Sequence, residues 1–468
     1  MYSTVVKLRK GEGRTIKSGG AWVYDNEIDT ITGRFENGDV VSVVDFDDYP
    51  MGNGFINQNS KIRIRMLTRD VNQEIDRAFL YSRVKAAWDY RKVTMDISED
   101  KSTDNSTDSA SKNSNNCCRI IFGEADFLPG LVVDKYRDIL VVESLALGID
   151  KLKRIILEEL INVLSEDGIK INGIYERSDA PVRKKEGLMP YKGCLYYKGE
   201  WIVDNSIENV TSEEIFNYFK EIDVVENNIH YKVDVINGQK TGFFLDQKYN
   251  RRAMQKLCSS LIVSKAKSLN TSNDKLKILD CFTHMGTFAL NCGYAIKKSI
   301  TDNDIHIDDI GSKIEVTGLD ISEFAVMQAT NNAKNNNLDE IVKFRAANVL
   351  DELPKLNSTN EKYDVVILDP PAFTKSKEAT KNAIKGYREI NMKGLKLVKD
   401  GGYFATCSCS HFMTQELFTK VISQAAQATH KRLRQIEFRT QGPDHPILWS
   451  ADESYYLKFL IFQVVEEK

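Results

Sequence analysis

No apolar run in this 468-residue chain approaches the roughly 18 residues needed to cross a bilayer, so neither a membrane-spanning helix nor a membrane partner is expected. The opening residues, MYSTVVKLRKGEGR, lack the apolar stretch and small-residue cleavage site of a targeting peptide, and a cytoplasmic protein is the default reading. Regular cysteine spacing is missing too. Eight cysteines, including adjacent Cys117 and Cys118, form no repeated zinc or disulfide pattern, which points to a reducing compartment and no structural metal. Without GxGxxG a dinucleotide fingerprint is weak, and without GxxxxGK followed by Ser or Thr there is no phosphate cradle of the usual triphosphatase kind. Nor is there a large excess of one charge. The formal net charge of -3 neither supports nor excludes a nucleic-acid partner, because it hides two basic clusters: Lys7, Arg9, Lys10, Arg14 and Lys17, and Arg63, Arg65 and Arg69. Each cluster alone reads as a solvated face.

What is present suggests about three domains at typical domain size. From Thr4 to about Arg69 the chain is short, alternating and turn-rich, with VVKLRK, a buried Trp22, DVVSVVDF, GNGFIN and KIRIRML. Turns at Asn37-Gly38 and Gly52-Asn53-Gly54 favour a small β-barrel or sandwich over residues 1–72. Such a module can hold RNA or simply stabilise the chain, and shape alone does not separate the two. EIDRAFLYSRVKAAWDYRKV and KLKRIILEELINVL carry helical spacing, and IIFGEADFLPGLVVDKYRDILVVES reads as two or more strands. Together they predict a central α+β domain over residues 73–208, interrupted at 101–116 by a small, polar insertion too poor in apolar residues to order itself.

Residues 209–468 read as an α/β domain. A strand pair around HYKVDVINGQKTGFFLDQKYNR leads to the helix RRAMQKLCSSLI. KILDCF, a helix from Phe288 to Ala295, VTGLDI, the helix EFAVMQATNNAKNNN, KYDVVILD, a helix through Tyr387 to Leu397 and GYFATCS then alternate. Alternation on this scale predicts an open parallel sheet covered on both faces, with the polar stretch Lys298 to Lys313 looping outside and two extended stretches between Arg434 and Val465 forming an antiparallel edge.

Asp280 and Asp369 each stand where an apolar strand ends, at the crest where such sheets gather ligands. After Asp280, the small or turn-capable Thr283, Gly286 and Thr287 would allow a polar ligand close to the backbone before the next helix. Asp320 ends VTGLD, and its carboxylate could accept hydrogen bonds from ribose hydroxyls or simply cap a helix. Pro370 and Pro371 stop a central strand, leaving Asp369 and loop carbonyls able to grip a planar base, with Phe373 either stacking on it or packed in the core. Cys407 and Cys409 follow GGYFAT. Each is a buried small hydrophobe or a nucleophile, and with His411 they make only a weak metal set.

The combination GQKTGFFLDQKYNR, LDCFTHMGTFAL, VTGLDIS, ILDPPAFTKSK, GYREIN, TCSCSHFM and DHPIL resembles the bacterial class I, S-adenosylmethionine-dependent 23S ribosomal RNA large-subunit cytosine-C5 methyltransferases with an N-terminal PUA domain, over nearly the whole chain. The resemblance implies a PUA β-barrel that binds RNA, a small central α+β domain and a Rossmann-like methyltransferase domain. It implies that Asp280, Phe282 and Gly286 form the first cofactor loop, that Asp320 holds the ribose, that Asn348 faces the adenine and that Asp369 lines the shared methyl-donor and base site. Lys240, Phe243, Asp246 and Gln247, with Pro370, Pro371 and Phe373, would contact substrate. Cys409 matches the nucleophile and Cys407 a position where a thiol is not required; Asp369 would hold the cytosine amino edge or assist proton transfer. The implied partner is 23S ribosomal RNA or a large-subunit assembly intermediate, with a homodimer left open.

Three departures from the family pattern bear on this. Ala372 stands where many RNA cytosine-C5 enzymes have a second cysteine that helps product release, and where close relatives have a lysine after the two prolines. Asn348 replaces an aspartate, altering the polarity offered to adenine. Two rivals keep part of the reading: N-methylation of guanosine, which can use a DPP-type loop without a cysteine, and a nonenzymatic RNA-binding or assembly role.

Overall fold

The computed structural model describes residues 1–95, 115–202, 213–374, 379–449 and 451–466. They form two compact units, Met1–Glu226 with Lys232–Leu245 and Pro443–Ser454, and Asn227–Tyr231 with Asp246–Gly442 and Tyr455–Lys468.

The first unit holds two six-stranded sheets. Strands β1 (Val5–Leu8), β2 (Trp22–Tyr24), β3 (Ile28–Thr32), β4 (Val40–Val44), β5 (Pro50–Ile56) and β6 (Ile62–Thr68) line up as β2-β6-β5-β4-β1-β3. Their alternation points Val6, Leu8, Val23, Val41, Val43, Ile56 and Ile64 into one core. Trp22, expected inside, is half-buried instead: its indole nitrogen donates to Glu124 at 2.8 Å, a polar need that keeps the ring at the edge. Helix α1 (Arg77–Thr94) then leads to β7 (Cys117–Phe122), β8 (Leu131–Tyr136), β9 (Ile139–Ser144), helix α2 (Leu147–Glu166), β10 (Gly173–Ser178), β11 (Tyr191–Tyr197) and β12 (Glu200–Trp201), which pair in sequence order.

Residues 101–114 of the predicted polar insertion, and the expected boundary at 208–209, lie outside the described residues. The last two residues of that insertion are paired: Asn115 bridges antiparallel to Glu226, and the Asn116 amide donates to Val225 O at 2.9 Å while its side chain accepts from Val225 N at 2.8 Å. Helix α3 (Glu213–Lys220) precedes a two-stranded ribbon of β13 (Ile222–Glu226) and β14 (Ile229–Val233). The expected strand pair therefore sits one strand earlier than read. After Val233 the Asp234 carboxylate accepts from the amides of Ile236 and Asn237, both at 2.9 Å, and this turn replaces a second strand. Three segments expected in the last domain, residues 213–226, 232–245 and 443–454, join the first unit: the Asn116 side chain accepts from Val225 N, the Thr241 hydroxyl bonds Asp134 at 2.5 Å, and the Arg119 amide donates to the Asp444 carboxylate at 3.1 Å.

In the second unit, helix α4 (Lys248–Thr271) opens a run of β15 (Leu276–Cys281), α5 (Thr287–Asp302), α6 (Ile310–Lys313), β16 (Ile314–Asp320), α7 (Glu323–Asn335), β17 (Val342–Ala346), α8 (Val349–Ser358), β18 (Tyr363–Leu368), α9 (Thr380–Leu397), β19 (Val398–Ser408), α10 (Gln415–Ala428), β20 (Lys431–Arg439) and β21 (Lys458–Glu466). The sheet order is β17-β16-β15-β18-β19-β21-β20, parallel through β19, with β21 antiparallel to both neighbours. All six residues of β18 are buried; Asp364 near its start is paired with Lys265 and Lys399, and the four residues after it form an apolar run. The polar stretch from Lys298 is not wholly a loop. Helix α5 continues to Asp302 because Ile296, Ser299 and Ile300 carry its buried face past Ala295, and residues 310–313 make a further turn of helix. The order reverses between β15 and β18, so the crevice beyond those two strand ends is where the topology collects a ligand.

Candidate functional site

The loop after β15 has an unusual backbone. Phe282, His284 and Gly286 have φ of +67°, +51° and +89°, alternating with residues of ordinary hand. Phe and His are seldom found there, and such strain gathers at binding sites. Gly286 has a packing reason as well: a Cβ there would lie 2.7 Å from the Phe344 ring. The glycine thus serves the fold directly, in addition to the close ligand approach expected of it.

Asp280 is fully buried under this loop. One carboxylate oxygen accepts from the Thr283 hydroxyl and from Ala289 N, at the start of α5, at 2.9 Å. The other has no hydrogen-bond partner among the described residues. Burial, with Asp369 and Asp320 adding to it, pushes the carboxyl up to about 7. A buried acceptor without a donor fits a ligand that brings an N–H group, above all a cationic one. At the end of β16, Asp320 accepts from His284 N at 2.9 Å with one oxygen and from Ser322 N at 3.0 Å with the other. Each oxygen keeps a lone pair for a hydroxyl. Beside it Ile321 is 71% exposed, an apolar surface on which a planar base can lie; sequence reasoning missed it, although an Ile directly after a strand-end acid was the available signal.

Asn348 goes elsewhere. It is the exposed N-cap of α8, accepting from Leu350 N at 3.1 Å and donating to Asp351 at 2.8 Å. Its side chain is committed to starting a helix, and any adenine contact would have to use what those bonds leave.

The end of β18 meets the end of β19. The Asp369 amide donates to Cys281 O at 3.3 Å, and its carboxylate accepts from the Cys407 thiol at 2.6 Å and from the Gln247 amide at 3.2 Å. Gln247 is in turn held by Asn250 at 2.6 Å. Cys407 has no exposed surface, and burial beside Asp369 pushes its thiol well above the ordinary range. It acts as a protonated donor. Cys409 is half-buried in the turn beyond the strand. The serines around it are pinned: the Ser408 hydroxyl donates to the Tyr387 hydroxyl at 3.0 Å, and that of Ser410 to Thr374 O at 3.0 Å. The Lys458 ammonium, fully buried, donates to Ser410 O at 2.6 Å and Tyr456 O at 2.8 Å. Nothing in the sequence marked Lys458, a single lysine opening an apolar edge strand.

Pro370 is buried and Pro371 exposed. The half-buried Phe373 ring lies 4.6 Å from that of Tyr387 and packs against the edge of the core. Asp246 and Gln247 belong to the second unit, and Asp246 accepts from the Tyr456 hydroxyl at 2.7 Å. Lys240 and Phe243 fall in the first unit. Lys240 is exposed, with its ammonium 4.7 Å from the Phe244 ring centroid, while Phe243 is buried and so offers no open face to a base. Of the two basic clusters, the second is spent internally: Arg65 is paired with Glu124 at 3.3 Å and Glu186 at 3.1 Å, and Arg69 donates to Gly20 O at 2.6 Å. Among the described residues no three His, Cys, Asp or Glu side chains gather as a metal site, and no helix is long and apolar enough to cross a membrane.

A PUA-like domain model matches residues 6–69, and a methyltransferase domain model matches residues 272–458. The chain is 32% identical over 461 residues to ribosomal RNA large subunit methyltransferase I of Shewanella frigidimarina, covering 98% of this chain and 99% of that protein. It is 31% identical to the protein of the same name from Alteromonas mediterranea, covering 99% and 100%. The solved structure of SMU.776 with SAH superposes with a TM-score of 0.70 at 16% identity over 99% of this chain and 100% of that one, a likeness of fold.

Proposed function

Because this chain belongs to the ribosomal RNA large subunit methyltransferase I family and is a methyltransferase dependent on S-adenosylmethionine, we propose that it methylates C5 of a cytidine in 23S ribosomal RNA through a covalent bond from Cys409 to the base. The observation that carries the reading is the difference between the two cysteines. Cys407 is sealed and donates its proton to Asp369, whereas Cys409 sits in a half-open turn whose neighbours are tied down.

The residues present fit the methyl donor. The partnerless oxygen of Asp280 suits its ammonium, the open lone pairs of Asp320 suit its ribose hydroxyls, and Ile321 offers a face for its adenine. When bound, S-adenosylmethionine supplies an electrophilic methyl on a sulfonium. Cytosine C5 alone is a poor nucleophile. Addition of the Cys409 thiolate at C6 forms the S–C6 bond and moves the ring electrons so that C4=C5 becomes an enamine with N3 protonated. After C5 has gained the methyl, return of the N3 proton to water, breakage of S–C6 and loss of the C5 proton restore the aromatic ring and free Cys409. Asp369, at the junction of β15, β18 and β19, holds the cytosine amino edge or helps that proton leave; Gln247 and the Cys407 thiol fix its orientation.

The proposal assigns RNA binding to residues 1–72, a central domain to 73–208 and catalysis to 209–468, with the chemistry carried by the second-unit part of that last span, in a cytoplasmic protein acting on ribosomal RNA or a large-subunit assembly intermediate. Incubation of the protein with labelled S-adenosylmethionine and unmodified 23S ribosomal RNA, followed by nucleoside mass spectrometry, tests it. Labelled 5-methylcytidine that disappears with Cys409→Ala and persists with Cys407→Ala is expected. Labelled methylguanosine in both variants would overturn the cytosine chemistry, and RNA binding without any methylation would leave an assembly role.

A further inference from the structure

We propose that Lys458 is the counter-ion of the Cys409 thiolate, a positioning residue that keeps the nucleophile ionised at neutral pH. The inference rests on the reading of Cys409 as nucleophile and adds the group that prepares it.

The geometry begins with strand register. β21 runs antiparallel to β19, and Lys458 stands directly opposite Ser408, one residue before Cys409. Its ammonium reaches across to the carbonyl of Ser410, one residue after Cys409, at 2.6 Å, and to Tyr456 O at 2.8 Å. The charge thus sits against the turn that carries the thiol. Only 1% of Lys458 is exposed, and among the described residues no carboxylate lies within ion-pair distance of it. A fully buried ammonium satisfied by two carbonyls and no anion is costly unless something nearby carries negative charge. The nearby groups that can do so are the two cysteines; burial brings the ammonium down to about 8 even with both of them working against that fall. Cys407 is already committed as a protonated donor to Asp369, which leaves Cys409.

The other titratable groups facing this turn do not take that place. Asp369, beyond β18, works against a thiolate and is engaged by Cys407 and Gln247. Tyr387, on α9, is pushed up to beyond its ordinary range by burial and stays neutral. Tyr455 presents its ring to the Lys458 ammonium at 5.6 Å, and the exposed His411 has a ring nitrogen 3.4 Å from Tyr455 O. Lys458 is therefore the cation placed to lower the thiol. Ionisation breaks the S–H bond, leaves the electron pair on Cys409 and sends the proton to water, while Lys458 remains protonated.

Alkylation by iodoacetamide reports the thiolate alone, so its pH profile at Cys409, located by tandem mass spectrometry on the full-length protein, tests the pairing without any turnover. In the wild type the midpoint should fall below the ordinary thiol value of about 8.5. Lys458→Met, which keeps the stem and removes the charge, should raise it by about one pH unit and slow alkylation at pH 7 about tenfold, and Lys458→Arg should restore most of the difference. A wild-type midpoint at or above about 8.5 overturns the pairing without recourse to any variant, as does an unshifted profile in a folded Lys458→Met protein. Failure of the underlying reading looks different: Cys409→Ala would then still make 5-methylcytidine, whatever the alkylation profile.

Discussion

In the first unit the Arg91 guanidinium is wholly buried and all five of its N–H groups are used: two on the Asp126 carboxylate, the others on the carbonyls of Ala87, Arg119 and Asp444 at 3.2, 3.0 and 2.9 Å. In the second unit Asp280 is as deeply buried, yet among the described residues one of its oxygens has no donor, and the Lys458 ammonium has carbonyls but no carboxylate. Folding alone accounts for the first arrangement, since a fully matched ion pair ties helix α1 to β7 and to a distant loop. It does not account for the second. A buried charge that lacks its complement marks where something else is meant to supply it, a ligand for Asp280 and a reacting thiolate for Lys458.

The largest effect should come from breaking the matched pair. Arg91→Met leaves Asp126 buried with its cation gone and the Phe122 amide as its remaining donor, and urea unfolding of the first unit should show a loss of about 3–5 kcal/mol. Adding Asp126→Asn should recover a good part of it. A loss under about 1 kcal/mol would mean that Arg91 is no more than a well-placed side chain, and the contrast between the units would collapse.

Asp280→Asn should do the reverse, sparing stability and costing binding. Calorimetric titration should find S-adenosylmethionine bound ten- to a hundredfold more weakly, about 1.4–2.7 kcal/mol. The pH dependence sharpens this. Asp280 titrates near 7 when buried, above its unfolded range, so the stability it contributes is full below about pH 4 and is lost as pH rises through about 7. Binding runs the other way, because an ammonium needs the carboxylate: wild-type affinity should tighten between pH 6 and pH 8 and level off above. Asp280→Asn should abolish both slopes. Parallel slopes in the variant would assign the titration to another group.

The sheet of the second unit was legible because parallel strands buried on both faces leave continuous apolar runs, and the acids at their ends fall at fixed places; VVIL followed by Asp369 is the clearest case. The extension of α5 was hidden because Lys297, Lys298, Thr301 and Asp302 outnumber the buried Ser299 and Ile300 that continue its inner face. The misplaced strand pair came from reading β propensity in VDVINGQKTGFF without weighing the Asp234 side chain, which turns the backbone locally. Lys458 could not be read at all. Its role depends on a cross-strand register between β19 and β21, segments fifty residues apart in sequence, and nothing in KFLIFQVV sets that register. The packing of half-buried Phe373 against Tyr387 was hidden for the same reason, since only the fold brings the two rings together.

The smallest effect is expected at Asn348, and it decides whether that residue belongs to the site or to the frame. As the N-cap of α8 it satisfies Leu350 N, so Asn348→Ala should cost about 1 kcal/mol of stability, with cofactor affinity changed less than twofold. Asn348→Asp keeps a capping oxygen and adds a negative charge favourable to the helix start, but it sets that charge beside Asp351, which now receives a hydrogen bond from the Asn348 amide. The two terms oppose each other, and the net change should stay within about 0.5 kcal/mol. If the side chain also reaches adenine, the two substitutions should part company in binding: alanine would weaken S-adenosylmethionine several-fold, while aspartate, able to accept from the adenine amino group, would hold or improve it. Equal affinity in all three proteins would place Asn348 with Arg91, among residues whose bonds the fold itself completes.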